Sequence, residues 1–300
     1  MNRKLFIAAV SMFFFLFAQP VSIAGDNHGH GHGSDAKRIK KGILLVTFGT
    51  SYSDAQKAFQ NIDKQVKEQY PDTPVRWAYT SKMIREKLAS RDKDIPSPAE
   101  ALAKMKAQGF TRVAVQSLHI IKGYEYGDLK SVVEGFGSMH GKMQDIVLGA
   151  PLLSSPESLI KVRDSMLNNI PDERSEDEAV IFMGHGTHHP NNAFYQAMSY
   201  QFQQEDGLAY IGNVEGSPKI DSILSNLEEK DVDKVYLMPF MSVAGDHAQN
   251  DMAGDGEDSW KSILEDNGYK VKTVLKGMGE YDNIVDIWIE NLNDSMSHLD

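Results

Sequence analysis

Cysteine is absent from this chain of 300 residues, which excludes disulfide bonds and leaves only nitrogen and oxygen side chains as strong metal ligands. Three common site patterns are also missing: the phosphate loop G-x-x-x-x-G-K-[ST], a G-x-G-x-x-G after a strand, and the nucleophile elbow G-x-S-x-G. Phe48-Gly-Thr-Ser51 has the form of an anion-binding turn, but alone it gives little support to a nucleotide cofactor. We therefore expect chemistry without a nucleotide.

Positive charge is also scarce. The chain has 31 Lys and Arg against 42 Asp and Glu, a formal net charge of −11, and no basic stripe. A protein of this charge is a poor binder of nucleic acid but attracts cations. The composition therefore argues against a nucleic-acid partner and favours a divalent metal.

Only one long apolar run is present, from Leu5 to Ala18. It follows Arg3 and Lys4 and precedes Ser22-Ile-Ala24, the three-part pattern of a secretory signal peptide. A retained anchor is the competing interpretation, but the run is shorter than the roughly 20 residues that a spanning helix needs. We predict that residues 1–24 are removed and that a soluble, periplasmic protein of net charge −13 remains, since this segment carries two bases and no acid.

A polar leader, residues 25–41, follows the predicted cleavage site. Glycines alternate with His28, His30 and His32, so we expect this segment to be disordered. The three histidines either capture metal loosely or belong to a solvated tail, and the sequence leaves both interpretations open.

From residue 42 onward, apolar runs alternate with segments of helical spacing, the order typical of parallel sheets with crossover helices. We predict an α/β fold of two similar Rossmann-like halves, each a four-stranded parallel sheet flanked by helices, with a cleft between them. The N-terminal domain is 42–172 and the C-terminal, metal-binding domain is 173–300. A final helix near 281–293 can pack on either half.

An internal repeat underlies this prediction. Arg112-Val-Ala-Val is similar to Lys234-Val-Tyr-Leu, and in each copy the valine precedes a glycine by ten residues. Val147-Leu-Gly149 is similar to Val274-Leu-Lys-Gly277, and the segments follow the same order in both halves although the spacings differ.

Three candidate metal ligands, His185, Glu215 and His247, each follow an apolar run of the second half. If those runs are neighbouring parallel strands, the three side chains converge at the carboxyl edge of one sheet, where open α/β folds bind ligands. Two imidazoles and a carboxylate suit a first-row divalent ion. Taken singly, each histidine is equally well a loop residue, and Glu215 is more simply a helix-capping or surface acid.

The corresponding positions of the first half hold Thr50, Thr80 or Ser81, and Glu125. One half is thus specialised for metal, and the other supplies the opposite wall of the cleft. His119 follows a first-half strand and either points into the cleft or lies in the core.

The chain resembles the anaerobic sirohydrochlorin cobaltochelatases, class II tetrapyrrole chelatases related in fold to ferrochelatase. The resemblance covers about residues 42–290. It rests on the order of six motifs: Leu45-Val-Thr-Phe-Gly-Thr-Ser51, Trp77-Ala-Tyr-Thr-Ser81, Leu118-His-Ile-Ile121, Met183-Gly-His-Gly186, Asn213-Val-Glu-Gly216 and Gly245-Asp-His-Ala-Gln-Asn-Asp-Met-Ala253.

The resemblance implies insertion of Co²⁺, with Fe²⁺ as the alternative metal, into sirohydrochlorin without ATP, a step of cobalamin synthesis. It implies that His185, Glu215 and His247 bind the metal, with His185 as principal ligand and proton acceptor and Glu215 sharing charge or passing protons outward. Candidate substrate-binding residues are Thr50, Ser51, Ser81, His119 and Lys122.

Predicted export departs from this picture, because cobalamin synthesis is cytoplasmic. An exported carrier of haem, another tetrapyrrole or metal on a chelatase scaffold is therefore the alternative function, and assembly into a homo-oligomer stays open.

Overall fold

Two parallel sheets of four strands form the framework of residues 39–300, the part of the chain that the computed structural model describes. The predicted signal peptide and residues 25–38 of the leader lie outside the described residues. The first sheet has the order β2-β1-β3-β4 and the second the order β6-β5-β7-β8. Their strands are β1 (Lys41–Thr47), β2 (Val75–Tyr79), β3 (Arg112–Ser117), β4 (Asp145–Gly149), β5 (Ala179–Gly186), β6 (Ala209–Glu215), β7 (Lys234–Phe240) and β8 (Lys270–Thr273).

Helices connect the strands as crossovers. They are α1 (Gln56–Gln69), α2 (Lys82–Ala89), α3 (Pro98–Ala107), α4 (Tyr124–Ser138), α5 (Pro156–Leu167), α6 (Ala193–Glu205), α7 (Ile220–Glu228), α8 (Trp260–Asp266) and α9 (Asp282–Ser297). Short turns of 3-10 helix at Pro190–Asn192 and Met278–Glu280 and a π-helical turn at Ala248–Met252 complete the set. We call residues 39–172 the first half and 173–300 the second half.

The identical strand order of the two sheets confirms the predicted fold class of two similar four-stranded parallel halves. The last strand lies just before the segment that the internal repeat matches to β4. β8 covers Lys270–Thr273, and Val274 follows it. β8 is an edge strand in which both lysines are exposed and Val271 and Thr273 are half-buried. An edge strand of this kind does not need the continuous apolar run that is typical of a buried parallel strand.

The core runs across both halves. Ile43 and Leu45 of β1 belong to the same buried cluster as Phe182 of β5 and Tyr236 of β7. The final helix, α9, packs on β3, β4 and α5 and buries Trp288 in this cluster. Residues 39–300 accordingly form one compact unit. No helix within residues 39–300 combines the length and apolarity needed to cross a membrane.

Candidate functional site

The carboxyl end of β5 presents His185 between two glycines that have no room for a side chain. A Cβ on Gly184 would lie 2.5 Å from Oδ1 of the buried Asn213. Gly186 has φ +71°, and a Cβ there would lie 1.7 Å from the carbonyl oxygen of Glu215. Because Gly184 and Gly186 have no side chains, β6 can approach β5 closely, and the imidazole of His185 is the only side chain that residues 184–186 present.

His247 lies immediately before the π-helical turn that follows β7, and its ring meets that of His185. The two ring centroids are 4.8 Å apart with an interplanar angle of 80°, and both residues are half-buried. The sheet order explains the meeting, because β5 lies between β6 and β7 and the strands run parallel. Two imidazoles thus share one position at the carboxyl edge of the second sheet.

Hydrogen bonds set the tautomers of both rings. Nδ1 of His185 lies 2.8 Å from the carbonyl oxygen of Gly186, which can only accept, so Nδ1 carries the proton. Nδ1 of His247 is paired with the carboxylate of Asp251 in the same way. In the neutral rings, each Nε2 therefore keeps a free lone pair, the arrangement found in metal-binding histidines.

The separation of the rings fits a shared ion. An imidazole nitrogen binds a first-row divalent ion at about 2.1 Å, which puts the ring centroid roughly 3.2 Å from the ion. Centroids 4.8 Å apart then subtend about 100° at the ion, close to the angle between neighbouring ligands in tetrahedral and octahedral sites.

Glu215 is the last residue of β6 and pairs in register with Gly186, so its backbone lies beside His185 as predicted. Its side chain is exposed. Within residues 39–300, no three His, Asp or Glu side chains are grouped closely enough to hold one ion. The structure therefore brings together the two histidines of the predicted trio, and the role of Glu215 as a ligand stays a prediction.

Two side-chain hydrogen bonds join the loops at the carboxyl ends of the two sheets. The hydroxyl of Tyr52, in the loop after β1, donates to Oδ1 of Asp246 at 2.6 Å. That hydrogen bond raises the pKa of Tyr52, so the phenol stays a donor. In the second bond, Nδ2 of Asn191 donates to the carbonyl of Lys122 at 2.7 Å. The carboxyl edges of the two sheets therefore face each other.

Most of the predicted substrate-binding residues have local partners. The Thr50 hydroxyl accepts from the backbone N–H of Tyr52 at 3.2 Å and is buried. The Ser81 hydroxyl caps α2 by accepting from the N–H of Ile84 at 3.3 Å. Ser51 contributes its carbonyl, which accepts from Arg91 at 3.3 Å. All of these residues lie at the carboxyl edge of the first sheet, and their contact with substrate stays a prediction.

His119 lies at the same edge, just after β3. Its Nδ1 lies 2.9 Å from the Ser117 hydroxyl, and its Nε2 is buried without a hydrogen-bond partner among the described residues. The residue as a whole retains some exposed surface, but burial of this nitrogen lowers the pKa of His119 to about 4. The ring is therefore neutral at physiological pH, which matches the core alternative more closely than contact with a carboxylate-rich substrate.

A hollow of about 250 Å³ lies at the first-half edge, between Phe48, Ser81, Glu125 and Leu129. It is smaller than the roughly 300–1,000 Å³ of typical ligand pockets, so it does not hold a whole macrocycle.

Two acids lie close to His247 in the sequence, Asp246 and Asp251, and in the structure Asp251 is the one that pairs with its imidazole. The spacing of four residues was a usable signal, since one helical turn brings such side chains together. No local sequence pattern predicts the hydrogen bond from Tyr52 to Asp246, because the two residues are 194 positions apart.

Comparisons with known proteins agree on one family. Residues 41–297 match the model of the family described as cobalt chelatase (CbiK). A sirohydrochlorin cobaltochelatase (CbiKC) of Nitratidesulfovibrio vulgaris is 43% identical over 261 residues, covering 87% of this chain and 92% of that protein. The sirohydrochlorin cobaltochelatase of Salmonella typhimurium is 37% identical over 261 residues, covering 86% and 97%.

Two solved structures are similar in fold. SirB from Bacillus subtilis with Fe³⁺ has a TM-score of 0.58 at 14% identity, covering 87% of this chain and 97% of that one. CbiX, whose structure is described as the terminal enzyme of sirohaem biosynthesis in denitrifying bacteria, has a TM-score of 0.52 at 14% identity, covering 84% and 98%. At these identities the likeness establishes the architecture alone.

Proposed function

Because this chain belongs to the cobalt chelatase family, we propose that it inserts Co²⁺ into sirohydrochlorin as an ATP-independent chelatase, with His185 and His247 holding the metal. The observation that supports this assignment of residues is the pair of rings 4.8 Å apart, each bound through Nδ1 so that Nε2 is free. Fe²⁺ is the alternative substrate metal, because the same nitrogen ligands suit both ions.

Insertion exchanges one divalent ion for two pyrrole protons, so the protein must release the metal and take up protons at the same place. The Nε2 atoms of His185 and His247 are suited to both tasks, since a nitrogen that gives up a metal regains a lone pair for a proton. Asp251 stabilises a protonated His247 by accepting from its Nδ1. Glu215, exposed at the edge of β6, passes protons on to solvent.

The first half positions the macrocycle. The carboxyl edge of its sheet, with Thr50, Ser51, Ser81 and Lys122, faces the edge that carries the histidine pair, and holding the ring there replaces a bimolecular encounter by an oriented one.

An anaerobic absorbance assay of the chain from residue 25 onward, with sirohydrochlorin and Co²⁺ and without ATP, tests the proposal. We expect catalytic turnover, and a loss of about 100-fold or more in rate for His185→Ala and for His247→Ala. His140→Ala, an exposed histidine of the first half, is the matched control. Wild-type turnover no faster than that of His185→Ala would contradict the proposal.

We further propose that the protein acts outside the cytoplasm, because residues 1–24 have the signal-peptide pattern. Fractionation of cells that express the full chain should recover a periplasmic form that begins at Gly25. Recovery of the uncleaved chain in the cytoplasm would contradict this placement.

The predicted export also favours the alternative function, in which the protein carries a tetrapyrrole or metal without catalysing insertion. A carrier of haem or of another tetrapyrrole would give stoichiometric binding spectra without turnover, and the same assay distinguishes the two. Light scattering of the purified protein with and without haem tests assembly into an oligomer.

A further inference from the structure

We propose that Tyr52 is a positioning residue: with Asp246 and Asn250 it fastens the turn that carries His247 to the first half of the molecule, and so maintains the separation of the two metal-binding imidazoles. The inference rests on the proposed function, because it assigns Tyr52 a task in holding the substrate metal.

The three side chains form a closed triangle of hydrogen bonds. The Tyr52 hydroxyl donates to Oδ1 of Asp246 at 2.6 Å. Nδ2 of Asn250 donates both to the Tyr52 hydroxyl at 3.2 Å and to Oδ1 of Asp246 at 3.1 Å. Each member therefore has two partners, and Tyr52 is the one that comes from the other half of the chain.

Tyr52 is presented by a braced loop. Its backbone N–H donates to the hydroxyl of Thr50, which is 3% exposed, and the Thr50 carbonyl accepts from the side chain of Gln56 at 3.0 Å. The Thr50 hydroxyl also lies against Gly245, 3.4 Å from where a Cβ would be. The phenol ring stands under the ammonium of Lys87, at 5.8 Å. A rigid support on one half thus meets the metal-binding loop on the other.

Two pairs of residues spaced four apart link the π-helical turn to the two residues that precede it. Asp246 and Asn250 face Tyr52, while His247 and Asp251 form the pair at the metal-binding position. Ala248 and Met252 anchor the turn in the core. Because the two pairs are adjacent along one turn, a rotation that moves Asp246 also moves His247. Fixing the first pair therefore fixes the second.

A second tyrosine provides a matched comparison. The hydroxyl of Tyr70, just after α1, donates to Oδ1 of Asn293 in α9 at 2.5 Å, remote from the histidine pair. Tyr70→Phe removes one hydrogen bond between distant parts of the chain, and Tyr52→Phe removes the two that its hydroxyl makes to Asp246 and Asn250. A merely structural tie would make the two variants alike.

The experiment compares both variants, Asp246→Asn and Asp246→Ala with wild type, in the chain from residue 25 onward. It measures Co²⁺ binding by calorimetry and by the visible spectrum of the bound ion, kcat and KM for Co²⁺ and for sirohydrochlorin, and urea unfolding. For Tyr52→Phe we expect Co²⁺ affinity and kcat/KM for Co²⁺ to fall about 10-fold or more, with an altered visible spectrum. The KM for sirohydrochlorin should stay within about twofold.

Tyr70→Phe should match wild type in all metal measurements, and Asp246→Asn, which keeps an acceptor oxygen, should retain more affinity than Asp246→Ala. Unchanged Co²⁺ affinity in Tyr52→Phe, or an equal loss in Tyr70→Phe, would overturn the inference. If wild type inserts Co²⁺ and His185→Ala does not, either result removes only the role of Tyr52. If His185→Ala is as active as wild type, the proposed function itself has failed.

Discussion

At the scale of single residues, the two imidazoles of the site differ in the group that accepts a hydrogen bond from Nδ1. His185 is backed by a neutral carbonyl and His247 by the carboxylate of Asp251. We expect Asp251→Asn to preserve the position of the ring but to lower kcat by about 10- to 100-fold, because the amide stabilises a protonated imidazole less. Asp255→Asn, whose carboxylate is 94% exposed in the same loop, is the control and should keep wild-type kcat. Equal activities would contradict this role of Asp251.

Gly186 tests the steric argument for the Gly-His-Gly turn. Gly186→Ala combines a left-handed backbone with a Cβ 1.7 Å from the Glu215 carbonyl, so we expect a loss of roughly 2–4 kcal/mol in unfolding free energy and at least tenfold in chelatase rate. Gly109→Ala has a similar φ of +82° with nothing within 4 Å, and should lose only about 1 kcal/mol and no activity. Urea unfolding and the chelatase assay measure both, and equal effects would exclude the close approach of β6 as the cause.

His119 predicts a pH dependence of stability. Its folded pKa of about 4 lies below the ordinary value of 6.5, so the unfolded chain takes up the proton first as the pH falls. This shift in pKa contributes to the free energy of unfolding in full above pH 6.5. The contribution, about 3 kcal/mol, is lost as the pH falls from about 6.5 to 4. Between pH 7 and 4.5, the unfolding free energy of His119→Asn should fall less than that of wild type. The variant His140→Asn, at an exposed site, should show the same fall as wild type. Identical pH profiles for His119→Asn and wild type would refute the prediction.

Sequence patterns at this scale located strand ends well and side-chain directions poorly. Parallel strands in a known order must bring His185 and His247 to one edge, so their proximity followed from the pattern of apolar runs. The direction of the Glu215 side chain did not follow. It depends on the turn at Gly216, with φ +71°, which a local sequence pattern does not determine.

At the scale of elements, long apolar strands were predictable because burial on both faces leaves a continuous run, as in β1 and β5. β8 lacked that signal because it is a half-exposed edge. The final helix was recognised by its spacing, but its docking partner was not, because both halves offer the same kind of sheet face.

The docking of α9 leads to an element-scale prediction. Trp288 is 1% exposed in the core shared by the halves, so Trp288→Ala should lower the unfolding free energy by about 3–5 kcal/mol. Tyr200→Ala on α6, where the side chain is 61% exposed, should change it by about 0.5 kcal/mol or less. Denaturation followed by circular dichroism measures both. Similar small losses would show that α9 contributes little to the core.

At the scale of the whole molecule, the two sheets share one strand order, yet one buried cluster joins β1, β5, β7 and α9, so the halves are not independent folding units. Separating the halves would expose that cluster to water, so we expect them to unfold together. The absence of cysteine allows a direct test with single labelled thiols. Ser131→Cys on α4 and Ser225→Cys on α7 are matched sites, since each exposed hydroxyl bonds to the carbonyl four residues earlier.

A fluorophore at either site should report the same urea midpoint, and both midpoints should match the loss of helical circular dichroism. The shared core then makes the geometry of the metal site a property of the whole chain, because the half that carries His247 cannot loosen while the half that carries Tyr52 stays folded. Two separated midpoints, with the Ser225 label reporting the earlier one, would instead mean that the second half opens alone and that the histidine pair is held by its own sheet.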